Sequence, residues 1–330
     1  VSTASATVTV EDKVDPTTMA QDLTVQLDAT GAASITAAQV DNGSSDACGI
    51  ASMTLSQTDF DCTHVGANTV TLTVTDNHGN VSAATSTITV EDNIAPTALA
   101  QDLTVQLDAS GAGSITADQV DNGSSDACGV SLSLSQTDFD CTHLGANTVT
   151  LTVTDNNGNQ STATATITVE DNIAPSVSAS GVNVYLDASG AGNLSVTSTA
   201  SGVTDNCSVS TLTIAINGGA PASSVDFDCT HVGSITADIV ATDVAGNTTS
   251  TTSTVVVQDT ISPMAMAQNL TVSLDASGAG SLTAAQVDNG SSDACGIASM
   301  SLSQTDFDCS HVGANTVTLT VTDNNGNVST

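Results

Sequence analysis

Apolar and polar residues alternate with a period of two along much of the chain, as in residues 148–154 (TVTLTVT). This period places alternate side chains on opposite faces of a β-strand, and Val and Thr favour a pleated surface. In one representative stretch we predict strands at 103–107, 114–120, 130–135, 148–154 and 161–169. No window shows a sustained helical period, and no run of 18 apolar residues is present. The chain is therefore predicted to be all-β.

The strand pattern repeats about every 80 residues, and each repeat is bounded by a short acidic segment with a proline. Residues 90–96 (VEDNIAP) return unchanged at 169–175, with looser copies at 10–16 (VEDKVDP) and 257–263 (VQDTISP). We call these four segments the hinges. Six or seven strands per repeat, with turn signals every 8 to 12 residues, are typical of an antiparallel β-sandwich. We predict tandem immunoglobulin-like modules arranged as an extended rod.

The predicted boundaries follow from the hinges. Residues 1–10 align with 81–90 and are predicted to be the last strand of a preceding module. Repeat 1 is 11–91, repeat 2 is 92–170, repeat 3 is 171–258 with insertions, and repeat 4 is 259–330 and lacks its last strand. Two explanations stay open: the array continues beyond this sequence, or the strand comes from a neighbouring molecule by strand addition.

The charge is strongly acidic, with 35 Asp and Glu residues against one base, Lys13, for a formal net charge of −34. Nucleic-acid binding and adhesion to anionic lipid both require cationic surface, so neither is expected, and no membrane insertion is predicted. A halophilic surface and bound counter-ions are the remaining explanations. The acids cluster in the hinges and in two loop types, which favours bound ions.

Eight cysteines occur, two in each repeat, and no CxxC motif is present: Cys48, Cys62, Cys128, Cys141, Cys207, Cys229, Cys295 and Cys309. An even count without metal-type spacing indicates disulfides in an oxidising compartment. The simplest pairing is one disulfide within each repeat. Closing a loop of about 14 residues would contribute roughly 3 kcal/mol in the loop-entropy model.

Strand direction predicts a cation site at each hinge. In repeat 2 the first strand leads away from the hinge and the second returns, so the acidic loop 121–129 lies at the hinge end. The turn 155–159 precedes the last strand and also lies there. Ca²⁺ takes six to eight oxygen ligands from carboxylates, amides and carbonyls, so calcium is the expected cofactor. Asp-Asn-Gly sequences are also ordinary turn chemistry.

The predicted metal ligands form one set per repeat. They are Glu11, Asp12, Asp41, Asp46, Asp76 and Asn80 for repeat 1; Glu91, Asp92, Asp121, Asp126, Asp155 and Asn159 for repeat 2; Glu170, Asp171, Asp205, Asp243 and Asn247 for repeat 3; and Asp259, Asp288, Asp293, Asp323 and Asn327 for repeat 4. Repeats 3 and 4 have the thinner sets, so their junctions are expected to be the weakest.

The composite pattern VEDNIAP … LTVQLDASGAGSITA … VDNGSSDACG … FDCTHVGANTVTLTVTDNNGNVS resembles the HYR-type, immunoglobulin-like repeats of giant secreted bacterial cell-surface adhesins, most closely those of Bacteroidetes. The resemblance covers the whole chain in four copies. It implies an extracellular, cell-surface protein with an adhesive or filament-forming role and no enzymatic activity. Repeat 3 departs most, because its Asp205-Asn206-Cys207 keeps only the second half of the acidic loop.

Two further motifs recur in every repeat, the pair Asp59/Asp61 and the histidine His64 with their equivalents. Catalytic carboxylates or a catalytic histidine are not expected to recur in every repeat of a protein. The Asp pairs are therefore expected to be solvated and the histidines to be structural. A carbohydrate-binding module would need aromatic side chains, and the chain has one Tyr and no Trp.

The sequence thus predicts a calcium-stiffened structural and adhesive repeat protein. Its expected partners are neighbouring repeats of the same or an identical chain, joined head to tail, and a surface glycan or protein ligand. The alternative is a passive spacer that presents a distant binding or catalytic domain.

Overall fold

The structure is a computed structural model that describes residues 1–330. It divides into two compact units: residues 1–107 with 112–170, and residues 108–111 with 171–330. Each unit contains two of the sequence repeats, and the repeats are built almost entirely from strands and turns. The α-helices are single turns of four residues, so no helix is long enough to cross a membrane.

The elements follow the same order in each repeat. Repeat 1 has β1 (Leu23–Gln26), β2 (Ala32–Ser34), α1 (Ala37–Val40), β3 (Ile50–Leu55), β4 (Asp59–Asp61), a 3₁₀-helix (Cys62–His64), β5 (Gly66–Asp76) and β6 (Val81–Glu91). Repeat 2 has β7 (Leu103–Gln106), β8 (Ala112–Ser114), α2 (Ala117–Val120), β9 (Val130–Leu134), β10 (Asp138–Asp140), a 3₁₀-helix (Cys141–His143), β11 (Gly145–Asp155) and β12 (Gln160–Glu170).

Repeats 3 and 4 depart from this order in their loops and edges. Repeat 3 has β13 (Ser176–Ala179), β14 (Val182–Tyr185), β15 (Gly192–Ser195), a 3₁₀-helix (Val196–Ser198), β16 (Ala200–Thr204), β17 (Val209–Ile216), β18 (Ser224–Phe227), a 3₁₀-helix (Cys229–His231), β19 (Gly233–Asp243) and β20 (Thr248–Gln258). Repeat 4 has β21 (Gly280–Ser281), α3 (Ala284–Val287), β22 (Ile297–Leu302), β23 (Asp306–Phe307), a 3₁₀-helix (Cys309–His311), β24 (Leu319–Asp323) and β25 (Val328–Ser329).

The larger sheet of repeat 1 has the strand order β1-β6-β5-β3, and repeats 2 and 3 have the equivalent four-stranded sheets. The pairing of β5 with β6 and with β3 is antiparallel, as predicted. The pairing of β1 with β6 is parallel, with Leu23 opposite Ile88, so the sheet is mixed at this edge. The sandwich is antiparallel as predicted except for this one strand pair in each of repeats 1, 2 and 3, which is parallel.

The second layer is small. It consists of β2 paired with β4, extended by isolated bridges at Thr17–Ser45 and Ala20–Asp41. The apolar face of the large sheet packs against this second layer. The side chains of Val70, Leu72 and Ile88 on that face of the large sheet are fully buried. This two-layer core confirms the immunoglobulin-like sandwich. The scarcity of aromatic residues leaves Phe60 as the one large ring in the core of repeat 1.

The predicted second strand was partly wrong. Residues 114–120 continue as strand only to Ser114, and residues 117–120 form helix α2. Thr116 and Gln119 form a capping box, with the Thr116 backbone N–H donating to Gln119 Oε1 at 2.8 Å. The Thr-x-x-Gln sequence is a capping box, which favours the start of a helix. Here it favours one helical turn over the strand that the alternating pattern predicted.

In repeat 3 a 3₁₀-helix (Val196–Ser198) takes the place of this helix, and the segment after it forms strand β16, which pairs with β13 where the other repeats have isolated bridges. Its second insertion is an exposed hairpin tip at residues 217–223, closed by the bridge between Ile214 and Ala222. Asn217 and Gly218 have positive φ (52° and 71°) there.

Repeat 4 contains only the start of the counterpart of β6, namely Val328 and Ser329 of β25. Residues 270–273, which correspond to β1, have no strand partner and are not strand. Residues 1–10 are likewise exposed along their whole length and form no strand. Their assignment as the last strand of a preceding module stays a prediction.

Candidate metal centre

The first candidate site combines three segments of unit 1. Asp12 comes from the hinge, Asp46 from the loop before β3, and Asp76 from the end of β5. The strand register places Ile50, at the start of β3, opposite Asp76, at the end of β5. The loop before β3 and the turn after β5 therefore lie at the same end of the sheet. Carboxylate oxygens of Asp12, Asp46 and Asp76 lie within 4.8 Å of one another. The predicted convergence of hinge, loop and turn therefore occurs in the structure.

The turn after β5 is organised by its own aspartate. Asp76 Oδ1 accepts hydrogen bonds from the backbone N–H groups of His78 (2.8 Å) and Asn80 (2.9 Å). The Asn80 amide donates to Asp76 Oδ2 at 2.6 Å and to the Asp12 carbonyl oxygen at 3.4 Å. Asn80 thus ties the turn to the hinge, and its Nδ2 acts here as a donor rather than as a metal ligand.

These hydrogen bonds favour the ionised carboxylate. Burial alone would raise the pKa of Asp76, but hydrogen bonds from Asn80 and from the backbone of His78 outweigh burial and hold that pKa below its ordinary value of 3.8. The same causes lower the pKa of Asp155, Asp243 and Asp323. The turn aspartates are therefore maintained as anions.

The hinge and loop aspartates come together at the other three junctions as well, and the turn aspartate joins them at one of these. Asp171, Asp205 and Asp243 bring their oxygens within 4.8 Å of one another in unit 2. Asp92 and Asp126 form the matching group with Cys128 Sγ, and Asp259 and Asp293 form it with Cys295 Sγ. These two sulfurs belong to disulfides, so they cannot serve as thiolate ligands.

At these two junctions the turn aspartates, Asp155 and Asp323, lie outside the group of three ligand atoms. Each is linked to the hinge by an asparagine side chain instead. Asn159 Nδ2 donates to Asp155 Oδ2 at 2.8 Å and to the Asp92 carbonyl at 3.0 Å. Asn327 makes the same two bonds to Asp323 and Asp259, and Asn247 makes them to Asp243 and Asp171.

One carboxylate oxygen in each of the four hinge aspartates is buried without a hydrogen-bond donor, and Asp12 Oδ2 has only the His78 ring nitrogen nearby, at 3.3 Å. Asp92 Oδ2, Asp171 Oδ2 and Asp259 Oδ2 are buried and unpartnered, and the residues are only 9%, 4% and 8% exposed. A buried anionic oxygen that lacks a donor, beside other carboxylates, is strongly unfavourable without a compensating charge. Hard carboxylate oxygens in this number suit Ca²⁺.

Three predicted ligands point away from these groups. Glu91 Oε2 accepts a 2.6 Å hydrogen bond from Gln26, Glu170 Oε2 accepts one from Gln106, and Glu11 pairs with Lys13 at 2.7 Å. Consecutive residues at the end of an extended strand face opposite sides, so the glutamate turns outward when the following aspartate turns into the junction. The structure does not bring Glu11, Glu91 or Glu170 to the site.

The first acid of each loop is also occupied locally. Asp121 Oδ1 accepts from the Ser124 backbone N–H at 2.9 Å, and its other oxygen accepts from Gly123. Asp41 and Asp288 make the same bonds within their own loops. Repeat 3 lacks this acid, yet Asp171, Asp205 and Asp243 still converge. The junction of repeat 3 was expected to be weak because this first loop acid is missing. In the other repeats, however, the first loop acid does not belong to the carboxylate group at the junction.

The disulfide pairing differs from the prediction. Cys62 bonds Cys128, and Cys229 bonds Cys295, each over a sequence separation of 66 and a Cα–Cα distance of 5.2 Å. Cys141 and Cys207 are also disulfide-bonded, whereas Cys48 and Cys309 are free and exposed. Within-repeat pairing was wrong, because β3 separates Cys48 at the hinge end from Cys62 at the other end, and a disulfide needs Cα atoms about 4.4–6.8 Å apart.

The Asp-Cys-Thr-His motif forms the turn that presents the second cysteine. Asp61 Oδ1 accepts from the Thr63 backbone N–H at 2.9 Å and lies 2.7 Å from His64 Nδ1. The His64 ring packs edge-on against Phe60, with centroids 5.8 Å apart. His64 is therefore structural, as predicted. Asp61 is a cap and not merely a solvated carboxylate, which its position one residue before a short helix could have indicated.

No family model and no curated protein matches this sequence. Among solved structures the chain is similar to cadherin domains 1–5 of protocadherin gamma B2, at 13% identity and a TM-score of 0.30 over 96% of this chain and 73% of that one. It is also similar to titin domains I67–I69 in an E-to-A mutated variant (10%, 0.31, 74% and 99%) and to mouse cadherin-23 EC22–24 (15%, 0.29, 74% and 99%). Proposals about function therefore rest on the junction residues.

Proposed function

We propose that this chain is a non-enzymatic, extracellular structural repeat protein whose junctions bind calcium and are stiffened by it. The observation that carries the proposal is the buried, unpartnered hinge oxygen of Asp92, Asp171 and Asp259, which lies beside a second aspartate from the module that follows the hinge. A cation bound there would join a hinge to the next sandwich.

Calcium suits this donor set better than softer or smaller ions. The available donors are carboxylate oxygens and nearby carbonyls, and Ca²⁺ accepts such oxygens in irregular arrangements of six to eight. Mg²⁺ demands near-ideal octahedral geometry, and Zn²⁺ prefers nitrogen and sulfur. Bound cations would also offset part of the formal charge of −34.

The sequence resemblance and the oxidised cysteines support a proposed setting for the protein. Disulfides persist in oxidising compartments, which supports an extracellular location. We propose a filament or stalk at a bacterial cell surface. Contact with a glycan or protein ligand would favour adhesion, and the exposed tip at 217–223, present only in repeat 3, is the natural place for it. The near-identity of repeats 1, 2 and 4 favours the alternative of a passive spacer.

Calcium titration of hinge variants tests the proposal. In Asp92→Asn, the buried oxygen becomes part of a neutral amide, so calorimetry should show one fewer tight site than the wild type. Asp121→Asn is the matched control, because the Asp121 carboxylate accepts hydrogen bonds only within its own loop and its replacement should leave the number of sites unchanged. Equal calcium stoichiometry in wild type and Asp92→Asn, or no binding by the wild type, would refute the proposal.

A further inference from the structure

We propose that the junction disulfides Cys62–Cys128 and Cys229–Cys295 mask two zinc sites. When a thiol reductant opens one of these bridges, its two sulfurs and the two aspartates beside it form a four-ligand site for one zinc ion. The proposal concerns a second metal and the reduced chain, so it does not depend on calcium binding by the oxidised chain.

The first masked site lies at the hinge between repeats 1 and 2, within unit 1. A carboxylate oxygen of Asp92, one of Asp126 and the sulfur of Cys128 lie within 4.8 Å of one another. Ligand atoms on one tetrahedral zinc ion lie roughly 3–4 Å apart, given Zn–S and Zn–O bonds of about 2.3 and 2.1 Å. Small side-chain rotations therefore bring the three atoms to a common zinc ion.

Asp92 is the member of this group that lacks a counter-charge. Its Oδ1 accepts a hydrogen bond from the Ile94 backbone N–H at 3.1 Å, whereas its Oδ2 is buried without a donor. The residue is only 9% exposed. A buried anionic oxygen without a donor is unfavourable unless a cation compensates it, so this oxygen is available to a metal.

The fourth ligand is Cys62, whose sulfur is bonded to that of Cys128. Reduction leaves the two sulfurs side by side and next to the two carboxylates. Zn²⁺ binds thiolate and carboxylate ligands in four-coordinate sites, whereas Ca²⁺ takes six to eight oxygen ligands. A set of two sulfurs and two oxygens suits zinc, so reduction changes the metal that this junction prefers.

Contacts that do not require the S–S bond keep the ligands together. Asp126 Oδ1 accepts a hydrogen bond from the Cys128 backbone N–H at 2.8 Å, which fixes these two residues relative to each other. A Cβ added at Gly31 would lie 2.8 Å from Cys62 Sγ and 3.0 Å from the Cβ of Ala127. The turn that contains Gly31 therefore packs closely against both sides of the bridge.

The same arrangement recurs in unit 2. Asp259, Asp293 and the sulfur of Cys295 form the matching group, and Asp259 is 8% exposed with an unpartnered Oδ2. The Cys295 backbone N–H donates to Asp293 Oδ1 at 2.8 Å. A Cβ added at Gly190 would lie 2.8 Å from Cys229 Sγ, as at Gly31 in unit 1.

The hinge that follows repeat 2 provides a contrast. Its group consists of the carboxylates of Asp171, Asp205 and Asp243, without a sulfur. A purely oxygen donor set suits a hard cation in either redox state. Two masked zinc sites are therefore expected in the chain, one in each unit.

A dithiol reductant opens the first bridge by thiol–disulfide exchange. The Cys62–Cys128 bond breaks, the dithiol closes to a cyclic disulfide, and its two electrons and two protons pass to the cysteine sulfurs. One zinc ion then replaces the two thiol protons, which leave to solvent. The S–Zn–S link joins the same two residues as the disulfide, so it connects the same two repeats.

Alkylation of the wild-type chain, measured cysteine by cysteine, tests the proposal. The chain is reduced with dithiothreitol, freed of the reductant under nitrogen, and treated briefly with iodoacetamide alone, with Zn²⁺ or with Ca²⁺. Mass spectrometry of the digest gives the alkylation rate of each thiol. We expect zinc to slow alkylation at least tenfold, and calcium less than twofold, at Cys62 and Cys128 (the unit 1 pair) and at Cys229 and Cys295 (the unit 2 pair). Equal rates with and without zinc, or equal protection by both metals, would overturn the proposal.

The aspartates distinguish a folded site from two thiols in a flexible chain. In Asp92→Asn, the zinc concentration for half-maximal protection of the unit 1 pair should rise at least tenfold. The value for the unit 2 pair in the same molecule should stay within twofold of the wild type. Asp121→Asn is the matched control and should leave both pairs unchanged, because the Asp121 carboxylate is bonded within its own loop. An unchanged unit 1 value in Asp92→Asn would show that the thiols bind zinc without the junction aspartate.

The oxidised and the reduced chain separate the two metal proposals. Calcium titration uses the oxidised chain, and zinc protection uses the reduced chain. Zinc protection without calcium binding would refute only the calcium junctions. Calcium binding without zinc protection would refute only the masked zinc sites.

Discussion

The side-chain amide of Asn159 donates a 3.0 Å hydrogen bond to the backbone carbonyl of Asp92, 67 residues earlier in the chain. The same amide holds Asp155, so a single side chain connects the turn of one sandwich to the hinge that precedes it. Equivalent bonds recur at every junction, although the hinge sequences differ.

Replacing Asn159 with Ala should therefore destabilise unit 1. The change removes two hydrogen bonds, one to a carboxylate, and we expect a loss of about 1–3 kcal/mol in the free energy of unfolding. Denaturant unfolding in the presence of chelator measures it without the contribution of calcium. Asn157→His is the control, because histidine occupies this position in repeat 1; a comparable loss in both variants would contradict the role of Asn159.

Removal of calcium should lower the melting temperature of the wild type. A ligand at 100 times its dissociation constant stabilises the folded state by about 2.7 kcal/mol per site. Thermal unfolding in calcium and in EGTA at equal ionic strength measures the effect, and X-ray scattering compares the overall dimensions. Identical melting curves and scattering profiles in the two buffers would be incompatible with stiffening by calcium.

The disulfide pattern is open to direct chemical analysis. Non-reducing digestion should release the peptide pairs Cys62–Cys128 and Cys229–Cys295 and none that joins Cys48 to Cys62. The loop-entropy model gives about 4 kcal/mol for a loop of this length, more than for a bridge within one repeat. Cys62→Ser/Cys128→Ser should therefore unfold at clearly lower denaturant concentration than Cys48→Ser, which removes a free thiol.

Acid should destabilise the calcium-free protein through the turn aspartates. The pKa of Asp155 is lower in the folded than in the unfolded state, so its contribution is complete above the ordinary value of 3.8 and is lost as the pH falls through the folded pKa. Unfolding free energies between pH 6 and pH 2 should decline mainly below about pH 4. Asp155→Asn should show a shallower decline in that range, and parallel pH profiles would contradict the assignment.

The sequence predicts most of the strands and the convergence of hinge, loop and turn, because both depend on period-two patterning and strand direction. It did not predict which acids face the junction, since the choice between Glu91 and Asp92 is set by the exact end of β6. The prediction of disulfides within each repeat failed for a different reason: strand β3 lies between Cys48 and Cys62 and holds them further apart than a disulfide can reach. The parallel pairing of β1 with β6 carries no local sequence signal.

The Cys62–Cys128 bond also determines how unit 1 would respond to a pulling force. Tension along the backbone would take the shortest covalent route, from Cys62 directly to Cys128, and bypass the residues between them. Those residues, fully extended, would span roughly 220 Å at 3.3–3.6 Å each, and the bridge withholds that length from stretching. A surface filament built from such repeats would yield little under shear even when a sandwich loses its fold, and reducing agents would make the same filament extensible.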